Sequence, residues 1–234
     1  MENSHGLRIL TIDIGGSHVK ATILNEAGQM VKDYEKKTTP VPATPENIIN
    51  TIKELVNNFP EYDKISVGFP GFVKNGTVMT APNLGSQLWQ NIPFQNMISD
   101  ALGKPAQVIN DADLQGLGVV KGNGLEIVVT LGTGFGTAVL FNGKLLPHLE
   151  LAHHPITKHK DYDQYIGEKA LINIGEDKWN RRMQKVLGIL KTVFNYDHLY
   201  ISGGNASKLR LKAESNITIV TNKDGIKGGA KLWI

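Results

Sequence analysis

The feature that most constrains this chain is a repeated segment in which a glycine-rich turn separates two β-rich runs. In the second half of the chain, the turn Gly132–Gly136 lies between two such runs. In the first half, Gly15, Gly16 and Ser17 follow the run Leu10–Ile14 and precede another run. Glycine lets backbone N–H groups approach an anion closely, and a concave nest of such groups binds phosphate. The repeat therefore predicts a duplicated fold that binds a phosphate.

Composition narrows the class of protein. The chain has 234 residues, of which 41% are hydrophobic and 20% are charged, enough for one large domain or two small lobes. A formal net charge of +3 is too small to imply nucleic-acid binding, and the absence of cysteine excludes disulfides and thiolate metal sites. Because neither a signal-like apolar segment nor a bilayer-length apolar run is found, we expect a cytoplasmic protein without nucleic-acid or membrane partners.

Hydrophobic periodicity predicts strands that alternate with helices. Residues 7–39 are typical of a three-stranded meander, and the apolar spacing after Thr44 predicts a helix that stops at Pro60. Further predicted strands are Lys64–Phe69, Ala106–Asn110, His198–Ile201 and a weak one at Ile217–Val220, and further helices are Phe94–Leu102, 111–120, 161–173, 177–194 and Gly225–Leu232. Because each half begins with a hairpin, this order predicts two α/β lobes with mixed sheets.

The first glycine turn carries charged neighbours. Asp13 ends the strand before the turn, and Lys20 lies early in the strand after it. An aspartate beside a phosphate nest can hold Mg²⁺, usually through water, because Mg²⁺ prefers oxygen ligands and keeps much of its hydration. A tight hairpin whose aspartate only supports the turn is the alternative. A third glycine turn, Ser202–Asn205, follows a strand in the second half and favours phosphate handling.

Two polar segments could act on the group that accepts the phosphate. Asn110 to Asp113 lie where a strand gives way to a helix, the edge at which α/β sheets bind ligands. A carboxylate there could act as a general base, or Asp111 or Asp113 could simply cap the helix. In a non-periodic loop, Glu150 and His153 could hydrogen-bond a polyol, or be ordinary satisfied loop groups. The helical histidine spacing of zinc proteases is absent from this loop.

Together these segments resemble the ROK family of sugar kinases, and within it the polyphosphate glucokinase branch. The resemblance covers nearly the whole chain, and the matching segments occur in the family's order. They are Asp13–Ser17, Val67–Gly71 with Thr80–Asn83, Asn110–Asp113, Thr130–Gly136, Ile201–Gly204 and Asp224–Ala230.

The resemblance implies an actin-like ATPase fold, made of duplicated ribonuclease-H-like lobes. The implied lobes are residues 1–111 and 112–223, with a closing helix at 224–234 packed on the first. It implies Asp111 as the catalytic base and a sugar site formed by Asn83, Asn110, Glu150, His153 and Asp163. The implied donor-binding residues are Gly15, Gly16, Ser17, Lys20, Gly132, Thr133, Gly134, Gly203 and Gly204. It further implies Mg²⁺ at Asp13 and a homodimer.

The chain departs from the family's pattern on the sugar side. Ala152 stands where the family has glycine before the loop histidine, and Gly85 stands where the branch commonly has aspartate. The branch's Asp-Ala-Glu stretch corresponds best to Asp161-Tyr162-Asp163, which ends in a shorter acid; Glu168 is a possible substitute. The departures leave the identity of the sugar less certain than the class of reaction.

The leading hypothesis is an enzyme that phosphorylates glucose or a related hexose from polyphosphate, ATP or both. A non-catalytic sugar or phosphosugar sensor with the same fold is the first alternative, and an ATPase or an activator of another enzyme is the second. Polyphosphate would need an extended basic groove. Its candidate residues are Lys158, Lys160, Lys178, Arg181, Arg182 and Lys208.

Overall fold

Both glycine-rich turns connect antiparallel strands in the computed structural model, which describes residues 6–211 and 214–234. The described chain divides into two units. One unit runs up to Leu114 and includes Ile226–Ile234, and the other is Gln115–Gly225. The two units therefore each contain one of the hairpins that the sequence repeats.

The elements of the first half follow the predicted order. Its strands are β1 (Arg8–Ile14), β2 (His18–Asn25), β3 (Met30–Thr38), β4 (Lys64–Phe69), β5 (Val73–Lys74), β6 (Thr77–Val78) and β7 (Ala106–Asn110). Its helices are α1 (Pro45–Val56), α2 (Ser86–Trp89), α3 (Phe94–Leu102) and α4 (Asp111–Val119). The structure confirms the predicted meander and the helix at 94–102, whose end is capped by Gly103 in the left-handed conformation.

The second half contains the second hairpin and the longest helix. Its strands are β8 (Leu125–Leu131), β9 (Phe135–Phe141), β10 (Lys144–Leu145), β11 (Pro155–Thr157), β12 (Lys160–Asp161), β13 (His198–Ser202) and β14 (Ile217–Ile219). Its helices are α5 (Tyr162–Ile166), α6 (Glu168–Phe194), α7 (Asn222–Gly225) and α8 (Gly228–Lys231). Short 3₁₀ turns occur at Leu151–His153 and Ala206–Lys208.

The two units contain five-stranded sheets of the same topology. The strand order is β3-β2-β1-β4-β7 in the first and β10-β9-β8-β13-β14 in the second. In each sheet the hairpin is antiparallel, and the two strands on its other side run parallel to the hairpin's first strand. The predicted duplication with mixed sheets is thereby confirmed.

Helix α1 shows why the sequence folds locally as predicted. Thr44 caps the helix by accepting a hydrogen bond from the N–H of Asn47 at 3.2 Å, and Pro45 occupies the first turn, where no N–H is needed. Its apolar residues lie on one face and are buried: Ile48, Ile49, Ile52, Leu55 and Val56. That face packs in the core of the first unit, against the sheet that carries the first glycine turn.

The helices after β12 differ from those predicted. The first ends at Ile166 instead of reaching 173, because Gly167 has an extended backbone. Helix α6 then runs from Glu168 to Phe194 with one kink at Gly175, where φ is 75° and ψ is 162°. Among the described residues, not one helix combines the length and the apolar character needed to cross a membrane.

The prediction of a single closing helix over Gly225–Leu232 is wrong. The chain instead forms two short helices, α7 ending at Gly225 and α8 beginning at Gly228. Glycine has a low helix propensity, and here it serves close packing instead. Ser66 donates a hydrogen bond to the Gly229 carbonyl at 2.6 Å, and Trp233 Nε1 donates to Ser66 Oγ at 2.9 Å. The closing segment is thus held on the first sheet by hydrogen bonds that both involve the Ser66 hydroxyl.

Gly229→Ala should destabilise the first unit. An added Cβ would lie 2.2 Å from Thr11 Oγ1 and 2.4 Å from its Cγ2, so the closing segment would have to shift. Overpacking of this kind costs about 1–3 kcal/mol, which a lower urea midpoint would report. The matched control is Gly188→Ala in α6, where nothing lies within 4 Å of the added Cβ; it should stabilise by about 0.5–1 kcal/mol. Equal midpoints for the two variants would contradict this packing.

Candidate active site

The first glycine turn is held at its base and exposed at its tip. Gly15 donates its N–H to the His18 carbonyl at 2.9 Å, and Thr39 Oγ1 donates to the Gly15 carbonyl at 2.6 Å. Gly16 and Ser17 are exposed. The turn that follows β1 is therefore rigidly placed while its tip remains accessible to an anion.

A cation and a carboxylate flank this turn. Lys20 Nζ lies 2.9 Å from Asp13 Oδ2, across paired positions of β1 and β2. Burial lowers the pKa of Lys20, but attraction to Asp13 and the hydrogen bond between them outweigh it, so the net pKa lies above its usual value. Lys20 therefore stays positively charged beside the turn, as binding of an anionic group requires.

Asp13 is a candidate ligand for a Mg²⁺ ion that takes its other ligands from water and phosphate. Within residues 6–211 and 214–234, no group of three or more histidine, aspartate or glutamate side chains could hold a metal ion. A single carboxylate at the end of β1 is what a Mg²⁺ ion uses when water and substrate phosphates supply its other ligands. The residues present thus fit a water-mediated Mg²⁺ and not a closed protein cage.

The sugar-side candidate Asn83 lies beside the first glycine turn. It is exposed in the turn before α2, and a Cβ added at Gly16 would lie 3.6 Å from Asn83 Cβ. Two residues later, Gly85 has a φ of 94°, a conformation that residues with a side chain rarely adopt. The glycine that replaces the branch's aspartate therefore accompanies a turn geometry that an aspartate would strain.

Asn110 and Asp111 divide the capping of α4. The side-chain oxygen of Asn110 accepts the N–H of Ala112 at 2.7 Å and the N–H of Asp113 at 3.2 Å. Asn110 Nδ2 donates to the Gly71 carbonyl at 3.1 Å. Asp111 Oδ1 also accepts the Ala112 N–H, at 2.9 Å. Asn110 is therefore the principal cap, and its bonds fix the strand end that carries the half-buried Asp111.

The second and third glycine turns are joined to each other within the second unit. Asn205 donates its backbone N–H to the Leu131 carbonyl at 3.0 Å and its Nδ2 to the Gly132 carbonyl at 3.3 Å. Gly203 has a φ of 97°, and an added Cβ would lie 2.2 Å from the Leu131 carbonyl oxygen. The structure thus brings the candidate residues of both turns together. Sequence reasoning did not single out Asn205, although it directly follows the Gly-Gly pair.

Asp163 contacts the second glycine turn. Its Oδ1 accepts the N–H of Phe135 at 2.6 Å, and a Cβ added at Gly134 would lie 2.6 Å from the same atom. Burial raises the pKa of Asp163 above its usual value, and Asp161 and Glu150 raise it further. The Phe135 hydrogen bond and His153 lower it only in part. The carboxylate therefore bears its charge at an energetic cost.

The loop with Glu150 and His153 is a small ionisable cluster. Glu150 Oε1 lies 3.4 Å from His148 Nε2, and its Oε2 lies 3.8 Å from His153 Nε2. The His153 side chain is 52% exposed. Ala152, which replaces the family's glycine, has a buried methyl group within the 3₁₀ turn. The loop therefore accommodates the alanine while it leaves His153 accessible.

The basic candidates on α6 fall into two groups. Lys178 and Arg181 line an open pocket of about 420 Å³ at the Gly175 kink, together with Arg210, which is paired with Asp177 at 2.6 Å. Arg182 instead stacks on the Tyr165 ring, 4.5 Å from its centroid. On α6, Lys178 and Arg181 are thus exposed, whereas Arg182 is half-buried.

Comparison with known proteins gives consistent matches. The sequence model of the ROK family matches residues 9–153. The polyphosphate glucokinase of Mycobacterium leprae is 35% identical over 227 residues, covering 91% of this chain and 67% of that protein. The polyphosphate glucokinase of Mycobacterium tuberculosis is 33% identical over 226 residues, covering 91% and 82%.

Solved structures agree. The inorganic polyphosphate/ATP-glucomannokinase of Arthrobacter sp. strain KM superimposes with a TM-score of 0.88 at 28% identity, covering 97% of this chain and 98% of that chain. A ROK family glucokinase from Streptomyces griseus, solved with glucose and AMPPNP, gives a TM-score of 0.82 at 19% identity, covering 96% and 98%. At 19% identity, the second match supports the fold alone.

Asp163→Asn should raise the unfolding temperature at pH 7. The amide oxygen can still accept the Phe135 N–H, while the cost of a buried charge disappears. Because the folded-state pKa is raised, wild-type Asp163 gains stability by protonation as pH falls through that pKa, and the advantage of asparagine should then vanish. Thermal unfolding measured across pH checks this, with the exposed Asp33→Asn as control. A pH-independent loss of stability in Asp163→Asn would contradict it.

Proposed function

The chain belongs to the ROK family, and from this premise we propose that it transfers a phosphoryl group from polyphosphate, ATP or both to the 6-hydroxyl of glucose or a related hexose. It is a phosphotransferase of the hexokinase or glucokinase type, as its relatives are. The predicted actin-like fold is confirmed by the repeated sheet topology and the structural matches. The identity of donor, acceptor and catalytic residues is the proposed part.

The observation that carries the proposal is the place of Asp111. It follows the last residue of β7 directly and opens α4, where Asn110 and not Asp111 supplies the principal cap. A half-buried carboxylate at this edge of the sheet can accept a proton from an attacking hydroxyl. We assign Asp111 as the general base, and Asn110 as the residue that fixes its position.

The glycine turns are the proposed donor site. In the first unit, Gly15, Gly16 and Ser17 form a turn with Lys20 beside it, whose raised pKa keeps the amine protonated at neutral pH. In the second, Gly132, Thr133 and Gly134 lie next to Gly203 and Gly204, with Asn205 bonded to Gly132. Backbone N–H groups and a cation stabilise the charge on a transferring phosphoryl group, which is most of what such a reaction requires. Mg²⁺, held through water near Asp13, would neutralise further charge.

The proposed sugar ligands are polar groups that are exposed or half-buried. Asn83 lies beside Gly16, and Glu150 and His153 interact within one loop. A carboxylate accepts and an imidazole or amide donates, so each of these groups can bond a sugar hydroxyl. Asp163 belongs to this set by resemblance.

The departures on the sugar side favour one second candidate, a sensor that binds sugar without phosphorylating it. Gly85 removes a carboxylate and its φ of 94° disfavours any replacement with a side chain. Calorimetry that shows sugar binding, together with an absence of turnover, would support the sensor. Measurable kinase activity would exclude it.

We also propose that the protein is a cytoplasmic homodimer, as the resemblance implies. Phe141, Leu146 and Leu149 are exposed apolar side chains that a partner surface could cover. Light scattering of the purified protein at several concentrations tests the stoichiometry, and a monomer at all of them would refute it.

Asp111→Asn should abolish most turnover and leave sugar binding intact. The amide keeps an acceptor for the Ala112 N–H but cannot take the hydroxyl proton, so kcat should fall about 10²–10⁴-fold. A coupled assay with a panel of sugars and both donors measures this, with the exposed Asp100→Asn in α3 as control. No turnover by the wild type with any sugar, or an unchanged rate in Asp111→Asn, would refute the proposed function.

Reversing Lys178 and Arg181 to glutamate should weaken polyphosphate binding more than ATP binding. A long polyanion can reach these side chains on α6, whereas a short triphosphate at the glycine turns gains less from them. We expect the Michaelis constant for polyphosphate to rise on the order of tenfold, with the difference shrinking at high salt. Lys104→Glu, an exposed reversal in the first unit, is the control. Equal effects on both donors would argue against a basic groove.

A further inference from the structure

The short helix α5 contacts two parts of the proposed site within the second unit. On one side it packs against β9, which begins at the end of the Gly132–Gly136 turn, and on the other against the 3₁₀ turn Leu151–His153. Of the residues proposed for the site, Asp163 alone lies in this helix. The contacts of the helix therefore indicate what it contributes to the site.

Asp163 is the polar link from α5 to the glycine turn. Its Oδ1 lies 2.6 Å from the Phe135 nitrogen, within hydrogen-bond distance. The three atoms nearest to a Cβ added at Gly134 all belong to the Asp163 carboxyl group, at 2.6 to 3.1 Å. The carboxylate thus lies directly against the turn, and glycine at 134 is what allows this approach.

Tyr162 links the same helix to the turn and to the loop by ring contacts. Its ring stacks on Phe135 with centroids 5.2 Å apart and planes 19° apart, and it is 3% exposed. The His154 ring lies 6.3 Å from it at a tilt of 54°. A shift of α5 would therefore move the turn and the histidine loop together.

The two residues that follow α5 also make backbone hydrogen bonds, one to the helix and one to the glycine turn. The N–H of Glu168 donates to the Gly132 carbonyl at 3.1 Å and to the Thr133 carbonyl at 3.3 Å. The N–H of Gly167 donates to the Asp163 carbonyl at 2.9 Å. The segment proposed to hold the phosphoryl donor is thus bonded both by Asp163 in α5 and by Glu168, the first residue of α6.

We propose that Asp163 is a positioning residue that holds the Gly132–Gly136 turn in its donor-binding form and couples it to the Glu150–His153 loop. The inference rests on the proposed function and reassigns Asp163 from the sugar to the donor. A carboxyl group that accepts the Phe135 N–H fixes the direction of that N–H and the backbone of the turn. Because the side chain acts through the turn, its removal should weaken donor binding more than sugar binding.

The kinetic test compares two variants with a control at the residue that caps the start of the same helix. Asp163→Ala removes the acceptor, so the Michaelis constant for the donor should rise about tenfold, with that for the sugar within about twofold of wild type. Asp163→Asn restores an acceptor and should restore the donor constant to near the wild-type value. Asp161→Asn, which keeps the cap that Gln164 N–H requires, is the control. A rise in the sugar constant in both Asp163 variants would overturn the proposal in favour of a direct sugar ligand.

A second test does not need catalysis. Amide hydrogen exchange at Phe135 should be faster in Asp163→Ala than in wild type and unchanged in Asp163→Asn. Unchanged exchange in Asp163→Ala would refute the positioning role even if the enzyme were fully active. Faster exchange in a protein without any kinase activity would instead support the role and refute the proposed function, so the two failures are distinguishable.

A double-mutant cycle tests the contact itself. Gly134→Ala places a methyl group against the carboxyl, so it should impair donor binding in the wild-type background. In the Asp163→Ala background the space is open, and the same change should have a smaller effect. Equal effects in both backgrounds would show that Gly134 matters for the donor alone and would overturn the proposed contact.

Discussion

The close approach of the Gly203 backbone to β8 is the constraint on which the proposed donor site of the second unit depends. Gly203 has a φ of 97°, and an added Cβ would lie 2.2 Å from the Leu131 carbonyl oxygen. Only glycine therefore fits at this position. That approach lets Asn205 bond both Leu131 and Gly132. The turn after β13 is therefore fixed to the turn after β8, so backbone N–H groups from both can meet one anion.

The two hairpins solve the same electrostatic problem differently. A carboxylate near a phosphate-binding turn repels the ligand unless its charge is compensated. In the first unit, Lys20 compensates Asp13 by an ion pair at 2.9 Å. In the second, the N–H of Phe135 partly compensates Asp163, and burial keeps its pKa raised. The first arrangement pairs the carboxylate with the lysine that we propose as a donor ligand, whereas the second fixes the backbone of the turn.

Most of the secondary structure could be predicted because its signals are local. The hairpin strands, α1 and α3 follow from apolar periodicity and caps that span a few residues. The errors lie near glycines: Gly167 ends α5 early, and the predicted closing helix divides after Gly225, whereas the kink at Gly175 falls in the gap predicted between residues 173 and 177. Glycine permits several conformations, so packing against distant residues such as Thr11 decides between them.

The sequence by itself determined the duplicated α/β fold, the glycine turns and the residue types at the strand ends, because periodicity and turn chemistry are local properties. Only the tertiary structure decided which side chain does what. It made Asn110 the principal cap in place of Asp111, and it directed Asp163 to the Phe135 N–H. The Asp163 contact joins residues 28 positions apart, and the Asn110 side chain that caps α4 is also bonded to the distant Gly71 carbonyl, so both are fixed only when sheet, helix and loop pack together.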